Sequence, residues 1–218
     1  MKYNKKITEQ PVLQGDKFEV NWDEVSNNPS ELFYQWFENA FEHQVIEPHA
    51  MTLATSDLQG KITSRVLLVR HVDEDANFYF STSNVNPTGK QLKENPNANL
   101  NFYWKELSRQ IIVSGTVEKC SQNDSTADFI KRSLDSKAIC LVQKQSEPLG
   151  KLITMHHAVK EIHKKFEFNS DLVNPNWTLF KVIPDKIEFF QGKKTRMHER
   201  LVYTRRQNEE WVKTFVWA

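Results

Sequence analysis

The fold is decided by a predicted β-hairpin, Ala50-Met-Thr-Leu-Ala-Thr-Ser56, Asp57-Leu-Gln-Gly60 and Ile62-Thr-Ser-Arg-Val-Leu-Leu-Val-Arg70. Its two outer segments are rich in apolar and β-branched residues, which favour strands. The short segment between them carries the Asp and Gly that are typical of turns. The hairpin therefore indicates antiparallel strand pairing near the centre of the domain.

Further strands are predicted on the C-terminal side of this hairpin, and helices are inserted among them rather than alternating with them. This order indicates an α+β protein built on a small antiparallel barrel with peripheral helices. The other predicted strands are 77–82, 97–104, 110–120, 178–183, 186–191, and 201–205 running into 211–217. The first predicted helix begins at Asn28-Pro29, and three further helices cover 89–95, 124–132 and 152–166.

Two of these helices have an apolar face, and the segment before the first one lacks periodicity. In the first helix, which ends before Pro48, the apolar positions are Leu32, Phe33, Trp36, Phe37, Ala40 and Phe41. In the last helix they are Leu152, Met155, Val159, Ile162 and Phe166. We expect an extended N-terminal arm over residues 1–27 and one domain over residues 28–218.

The composition suits a soluble globular protein. The 218 residues include 29 Lys plus Arg and 28 Asp plus Glu, which gives a formal charge of +1. The N-terminus is charged but no apolar run follows it, and no stretch approaches the ~18 apolar residues of a membrane span. We therefore expect a cytoplasmic protein. Only Cys120 and Cys140 occur, which argues against a disulfide framework.

The glycine and histidine positions exclude several kinds of site. Six glycines lie far apart, so neither a Walker loop nor a Rossmann turn can be built. A phosphorylated cofactor would have to be bound by side chains and strand ends. His156, His157 and His163 share a predicted helix without another ligand type at helical spacing, so no metal site is expected.

Arginines stand at both ends of the apolar part of the second hairpin strand, Arg65 and Arg70. They have two interpretations. Both can be snorkelling residues at the ends of a buried strand. Alternatively, both guanidinium groups bind anions, because arginine offers a fixed fork of donors that matches phosphate.

A second cationic cluster lies between two predicted strands and contains Arg196, His198 and Arg200. On an extended chain these alternate residues face the same side. Three cationic or protonatable groups on one face suit an anionic, redox-active ring. A solvated hairpin tip and a nucleic-acid surface are the other interpretations, although the balanced total charge weakens the latter.

Five motifs in the same order resemble those of pyridoxine/pyridoxamine 5′-phosphate oxidases. They are Arg65-Val-Leu-Leu-Val-Arg70, Phe102-Tyr-Trp-Lys-Glu-Leu-Ser-Arg-Gln110, Lys144-Gln-Ser146, Ile187-Glu-Phe-Phe-Gln-Gly192 and Arg196-Met-His-Glu-Arg200. The resemblance runs from about Asn28 to the C-terminus. It implies a split β-barrel homodimer that binds FMN at the subunit interface.

The resemblance also implies roles for individual residues. The cofactor-binding set would be Arg65, Val66, Leu67, Leu68, Val69, Arg70, Phe80, Ser81, Lys90, Gln110, Gln145, Ser146, Phe190 and Arg200. The substrate phosphate would be bound by Arg70, Arg132 and Ser136. Arg196 and His198 would lie over the substrate ring as the catalytic residues, with His198 orienting the substrate. Hydride would pass from the substrate to FMN and then to dioxygen, as in oxidation of pyridoxamine or pyridoxine 5′-phosphate to pyridoxal 5′-phosphate.

The sequence departs from the vitamin oxidases at three places. Asn86-Pro-Thr-Gly-Lys90 lacks two cations of the usual FMN phosphate site, Asp128 replaces a substrate-phosphate tyrosine, and residues 1–27 lack the Arg-x-x-Tyr lid. We expect the Asp128 carboxylate to repel a phosphate.

Two alternatives follow from these departures. Leu13-Gln-Gly15, Asn28-Pro29, Gln145-Ser-Glu147 and His198-Glu-Arg-Leu201 look more like the related phenazine-biosynthesis oxidases, which act on a reduced tricyclic acid. A non-catalytic split-barrel binding protein is the alternative from another class.

Overall fold

The computed structural model describes residues 7, 9–13 and 19–218, and residues 14 and 15 of the motif at Leu13 lie outside this part. Its strands are β1 Ala50–Ser56, β2 Ile62–Val72, β3 Phe78–Ser83, β4 Asn97–Trp104, β5 Arg109–Lys119, β6 Trp177–Gln191, β7 Glu199–Arg205 and β8 Trp211–Phe215. Its helices are α1 Pro29–Glu42, α2 Pro87–Glu94, α3 Gln122–Ile130, α4 Leu134–Val142 and α5 Leu152–Phe168. A short 3₁₀ turn, Lys105–Leu107, connects β4 to β5.

The strands form one antiparallel sheet that closes on itself. The order is β3-β2-β1-β4-β5-β6-β7-β8, and an additional pairing of β3 with β6 closes the first six strands into a barrel. The hairpin of β1 and β2 pairs from Ala50 with Leu68 to Ser56 with Ile62. The expected α+β fold, an antiparallel split barrel with peripheral helices, is confirmed.

Aromatic side chains fill the barrel and bind α1 to it. The Phe33 ring centre lies 5.1 Å from that of Phe78 and 5.5 Å from that of Phe102. The Trp36 ring lies 5.2 Å from Phe189 of β6. All five rings are at most 2% exposed, so α1 contributes directly to the hydrophobic core. Asn28 caps the helix by accepting a hydrogen bond from the Ser30 amide.

The helical predictions were wrong at several positions. Phe41 was assigned to the apolar face of α1, but it lies at the last turn and is 74% exposed. Helix α4 was missed because α3 ends at Ile130 and Ser133 caps a new helix after a very short break. On α5, Phe166 is buried and Met155, Val159 and Ile162 are partly buried, whereas Leu152 is 70% exposed, so the predicted apolar face is covered except at its N-terminal end. No helix in the described ranges has both the length and the apolar character that crossing a bilayer requires.

Strand β6 was predicted as two strands with a turn at Pro184-Asp185, and the structure has one continuous strand there. The irregularity is a bulge instead, because Ser114 pairs with Lys186 whereas Gly115 pairs with Pro184. Gly115 permits this close approach. A Cβ atom at this position would lie 2.1 Å from the Ile183 carbonyl oxygen.

The residues that precede α1 pack against the barrel. Val25 is buried, and the Tyr203 hydroxyl of β7 donates a 2.6 Å hydrogen bond to the carbonyl oxygen of Ser26. The Trp22 indole donates a 2.9 Å hydrogen bond to Glu199. These contacts attach residues 19–27 to the strand that follows the predicted catalytic residues.

We predict that Gly115→Ala destabilises the protein by about 1–3 kcal/mol, because the methyl group must displace the β6 backbone. Gly150→Ala is the matched control, since a Cβ there has no atom within 4 Å, and we expect its effect to stay within about 0.5 kcal/mol. Urea unfolding of the two variants measures both effects. Equal stabilities would show that the bulge tolerates a side chain.

Candidate active site

A cavity of about 360 Å³ lies beside β2, β3 and α4, and we name it the β2 cavity. Residues of β2 that point away from the barrel core form one wall of this cavity. Of these, Val66 is 67% exposed and Leu68 is 36% exposed. Leu67 and Val69 point the other way and pack against the barrel core. The residues of the predicted site that line this cavity are Val66, Leu67, Leu68, Arg70, Ser81, Arg132 and Gln145.

The cationic end of β2 is paired with a buried carboxylate. Arg70 Nε donates a 2.9 Å hydrogen bond to Oδ1 of Asp128 on α3. The second oxygen, Oδ2, accepts from the Ser81 hydroxyl at 2.7 Å and from the Trp177 indole at 2.9 Å. Three neighbouring strands of the barrel, β2, β3 and β6, therefore direct a donor at one side chain.

These donors keep Asp128 ionised. Burial alone would raise the pKa of Asp128, but the hydrogen bonds from Trp177, Ser81 and Arg70 outweigh it, and the pKa lies below its ordinary value. Asp128 was expected to repel a substrate phosphate. The structure adds that it neutralises Arg70, so this guanidinium does not reach the cavity as a free charge.

The two other residues predicted to hold the substrate phosphate lie on neighbouring segments. The Arg132 guanidinium lies over the Trp177 ring at 4.3 Å, and its Nε is buried without a hydrogen-bond partner among the described residues. Ser136 is in the first turn of α4, where the Ser133 hydroxyl donates a 2.8 Å hydrogen bond to its oxygen. Arg132 is thus directed at the β2 cavity, whereas Ser136 belongs to a helix cap and does not line it.

Arg65 lies on the core-facing side of β2 and is partly buried. Its Nη1 donates a 2.7 Å hydrogen bond to the Thr55 hydroxyl of β1, and its Nη2 donates to Thr63. Burial lowers the pKa of Arg65. No carboxylate of the described chain lies within ion-pair distance, so its charge is uncompensated.

Four predicted cofactor residues lie away from the β2 cavity, and Gln145 lies at its edge. Phe80 is fully buried and stacks on Phe180, so its side chain belongs to the core and only its backbone can reach a ligand. Lys90 is exposed on α2. The Gln110 amide donates a 2.9 Å hydrogen bond to Asn101 on β4. Gln145 donates to the Ile139 carbonyl at 3.3 Å, and the adjacent Ser146 is exposed with a left-handed φ of 69°.

A second cavity, of about 850 Å³, lies at the turn between β6 and β7, and we name it the hairpin cavity. Its lining includes the predicted residues Phe190, Arg196 and His198 together with Tyr103. Residues 10–13 of the N-terminal segment also line it. The segment thus contacts this cavity although it lacks the expected lid motif.

The geometry of the hairpin fixes the His198 ring. Its Nδ1 accepts a 3.0 Å hydrogen bond from the Lys193 amide, and the ring lies 5.2 Å from that of Phe190. Because Nδ1 is an acceptor, the neutral ring carries its proton on Nε2. Arg196 is exposed and has a left-handed φ of 67°. The Nε2–H group of His198 is therefore held as a donor beside the exposed guanidinium of Arg196.

Arg200 points away from this cavity because it is paired with Glu188, which is 5% exposed. Arg200 Nε donates to Glu188 Oε1 at 3.0 Å, and Nη1 donates to the Trp217 carbonyl at 3.2 Å. Arg196, His198 and Arg200 were expected on one face. The structure places the first two on the hairpin cavity and engages the third with β6 and the C-terminus.

Within one chain, the two cavities share no lining residue. The predicted residues that line neither cavity are Arg65, Val69, Phe80, Lys90, Gln110, Ser136, Ser146 and Arg200. Sequence reasoning missed Trp177, Glu188 and Thr55, which hold the arginines. Glu188 could have been found, because it lies two residues from Phe190, the cross-strand partner of Arg200. In the described ranges, no three His, Cys, Asp or Glu side chains are grouped as metal ligands.

Comparison with known families identifies both halves of the chain. Residues 37–166 match the family described as pyridoxamine 5′-phosphate oxidase. Residues 177–218 match the pyridoxine 5′-phosphate oxidase C-terminal dimerisation region, which supports the expected homodimer. The β2 cavity lies mostly in the first match, whereas the hairpin cavity is lined by residues of both matches and by residues 10–13.

Individual relatives agree with this result. The chain is 39% identical to pyridoxine/pyridoxamine 5′-phosphate oxidase of Trichormus variabilis over 86% of this chain and 87% of that protein. It is 37% identical to the enzyme of the same name from Paraburkholderia phymatum over 88% and 89%. It is also similar to the crystal structure of PhzG from Burkholderia lata in complex with tetrahydrophenazine-1-carboxylic acid. That likeness has a TM-score of 0.86 and 26% identity, and covers 94% of this chain and 99% of that one.

The closed barrel with a cavity beside β2, together with the two family matches, defines a split-barrel oxidoreductase. The chain belongs to the pyridoxamine 5′-phosphate oxidase family. It is thus an FMN-dependent oxidase, as expected, and the phenazine-biosynthesis oxidases are included among its relatives. The alternative of a non-catalytic binding protein is not favoured.

We predict that Asp128→Asn lowers the free energy of unfolding by about 1–3 kcal/mol at pH 7, because the charge-assisted hydrogen bond to Arg70 is lost. The native pKa of Asp128 is depressed, so its contribution is complete above the unfolded value of about 3.9 and is lost as the pH falls through the native value. The difference between wild type and variant should therefore disappear in acid. Chemical denaturation across pH measures it, and a difference independent of pH would contradict the ionic role.

Proposed function

We propose that this enzyme oxidises pyridoxamine or pyridoxine 5′-phosphate to pyridoxal 5′-phosphate. The observation that carries the proposal is the gathering of Arg70, Ser81, Arg132 and Gln145 at the β2 cavity, beside an apolar strand. The 37–39% identity to relatives bearing this enzyme name supports the same substrate. An alcohol substrate would lose two electrons and two protons as it becomes the aldehyde, and an amine substrate would in addition take up water and release ammonia. In both cases dioxygen would gain the two electrons and two protons as hydrogen peroxide.

The residues present fit an FMN molecule, which combines a phosphate with a flat aromatic ring. Arg65 provides a cation that is held by hydroxyl groups with no carboxylate within ion-pair distance in the described chain, and Lys90 is exposed on α2. Val66 and Leu68 offer exposed apolar surface to a ring. When bound, FMN supplies the acceptor for the substrate hydride and its transfer to dioxygen.

Each group of residues has a distinct task in this proposal. Arg65 and Lys90 bind the FMN phosphate, and the β2 backbone from Val66 to Val69 lies along the cofactor. The amide and hydroxyl groups of Gln110, Gln145 and Ser146 hydrogen-bond the ring edge or the ribityl chain, because they can both donate and accept. Phe190 packs beside the flavin ring. Arg200 supports the pyrimidine end of that ring indirectly, because it fixes the position of the C-terminal strands.

The substrate is held by the hairpin residues. Because Nδ1 of His198 is occupied by the Lys193 amide, its Nε2–H is the group left to orient the substrate ring. Arg196 lies on the same cavity and would cover the other face of that ring. Both residues act by positioning the substrate C–H bond, which lowers the entropic cost of transfer.

We further propose that one site is assembled from two subunits. The β2 cavity and the hairpin cavity share no residue within a chain, and the hairpin belongs to the dimerisation region. A homodimer in which the β2 cavity of one subunit meets the hairpin cavity of the other would unite both groups around FMN. It would also cover the exposed residues of β2.

A specific observation favours a second substrate, a reduced tricyclic carboxylic acid. Asp128 neutralises Arg70, so Arg132 is left as the one cation of the β2 cavity without an ion pair among the described residues. One cation matches a carboxylate monoanion better than a phosphate dianion. The likeness to PhzG with its bound tetrahydrophenazine acid supports this candidate.

Anaerobic reduction of the bound flavin distinguishes the two substrates. Under the first proposal, pyridoxamine 5′-phosphate should bleach the visible absorbance of the purified yellow protein with formation of pyridoxal 5′-phosphate, and air should restore the absorbance with formation of hydrogen peroxide. Bleaching by a dihydrophenazine carboxylate, with no response to the vitamin phosphates, would support the second candidate. A protein that stays colourless after addition of FMN and removal of the excess would contradict both.

The two-subunit site is tested by co-expressing Arg65→Ala and Arg196→Ala chains with different affinity tags. Each homodimer should be nearly inactive, the first for lack of FMN and the second for lack of substrate positioning. The mixed dimer should regain about half the wild-type activity, because one of its two sites then combines intact surfaces. A chain that carries both substitutions, paired with wild type, is the control. Mixed dimers as inactive as the parents would show that both residues serve the same site from one chain.

A further inference from the structure

We infer that Gln91 on α2 is a positioning residue that aims the Arg65 guanidinium at the FMN phosphate. The inference rests on the proposed function, in which Arg65 binds that phosphate. Gln91 is partly buried and does not line the β2 cavity or the hairpin cavity. It acts on Arg65 through two threonines.

The contacts form a closed arrangement across three elements. Gln91 Oε1 accepts a 2.6 Å hydrogen bond from the Thr55 hydroxyl and a 2.7 Å hydrogen bond from the Thr63 hydroxyl. Thr55 and Thr63 are direct cross-strand partners on β1 and β2. Both threonine oxygens in turn accept a hydrogen bond from Arg65.

The direction of the hydroxyl protons explains why Gln91 matters. Each threonine has one O–H proton, and the shared acceptor on Gln91 commits both protons to the side away from Arg65. The lone pairs of the two oxygens then face the guanidinium. Without that acceptor, a hydroxyl can rotate its proton toward Arg65, so that two donors oppose each other and the guanidinium loses its fixed orientation.

The orientation of Arg65 is important because few other groups can bind a phosphate here. Both threonine contacts use the Nη groups, so Nε–H has no partner in the described chain and remains available to an anion. Unlike Arg70 and Arg200, Arg65 has no carboxylate within ion-pair distance there. Helix α2 begins with Pro87 and Thr88, which carry no charge. Lys90 is the first cationic residue of this helix.

The test compares Gln91→Met with Gln59→Met, since methionine keeps the length of glutamine but cannot accept these hydrogen bonds. Gln59 is exposed in the β1–β2 turn and serves as the matched control. Titration of the apoprotein with FMN should give a dissociation constant about tenfold higher for Gln91→Met. Titration with riboflavin, which lacks the phosphate, should give values within about twofold of wild type. Gln59→Met should leave both unchanged.

A double-mutant cycle with Arg65→Ala shows whether Gln91 acts through Arg65. In the Arg65→Ala background, Gln91→Met should weaken FMN binding by less than about twofold, because the group it orients is absent. Equal weakening of FMN and riboflavin, or additive effects of the two substitutions, would overturn the inference and leave Gln91 a general support of the fold. If wild type binds FMN and Arg65→Ala binds it equally well, the inference fails although the oxidase proposal stands. Absence of FMN binding by wild type would refute the proposed function itself.

Discussion

The pairing of β3 with β6 is the constraint on which the rest of the structure depends. It closes the barrel, from Phe78 beside Val182 to Ser83 beside Trp177. Asp128 lies at this closure and accepts hydrogen bonds from β2, β3 and β6 together. The same carboxylate that links three strands also pairs with Arg70 of the β2 cavity, so the charge of that cavity is connected to the way the barrel closes.

The arginines of the site differ in what holds them, and this difference determines what each can bind. Arg70 and Arg200 are paired with carboxylates that are at most 8% exposed, whereas Arg65 is held by hydroxyl groups. A buried ion pair adds little net stability because desolvation offsets the attraction, but it fixes geometry strongly. Arg70 and Arg200 are thus rigid and locally neutral. The charge of Arg65 is not offset by a carboxylate in the described chain, and burial lowers the pKa of this guanidinium.

The sequence predicted the barrel well because most of its strands are rich in apolar and β-branched residues and are bounded by turn residues. It failed where tertiary contacts decide the outcome. Pro184 indicated a turn, but pairing with Gly115 keeps β6 continuous through a bulge. The site residues were named through a resemblance to a known family. The sequence did not predict which of the arginines would be paired with carboxylates. Arg70 and Asp128 are 58 positions apart, and no local pattern indicates that α3 brings them within 2.9 Å.

A site built from side chains on strands can change its specificity without a change of fold. Glycine-rich phosphate loops bind through backbone amides, so their chemistry is tied to the local backbone path. In this chain the proposed anion-binding groups are side chains, and each contacts other side chains that would orient it, such as Asp128 beside Arg70. A single substitution at such a supporting position alters the charge offered to a ligand while the barrel core, filled by Phe78 and Phe102, remains intact. Under the proposed function, the choice between a phosphorylated pyridine and a tricyclic acid would reside in the residues that hold the arginines.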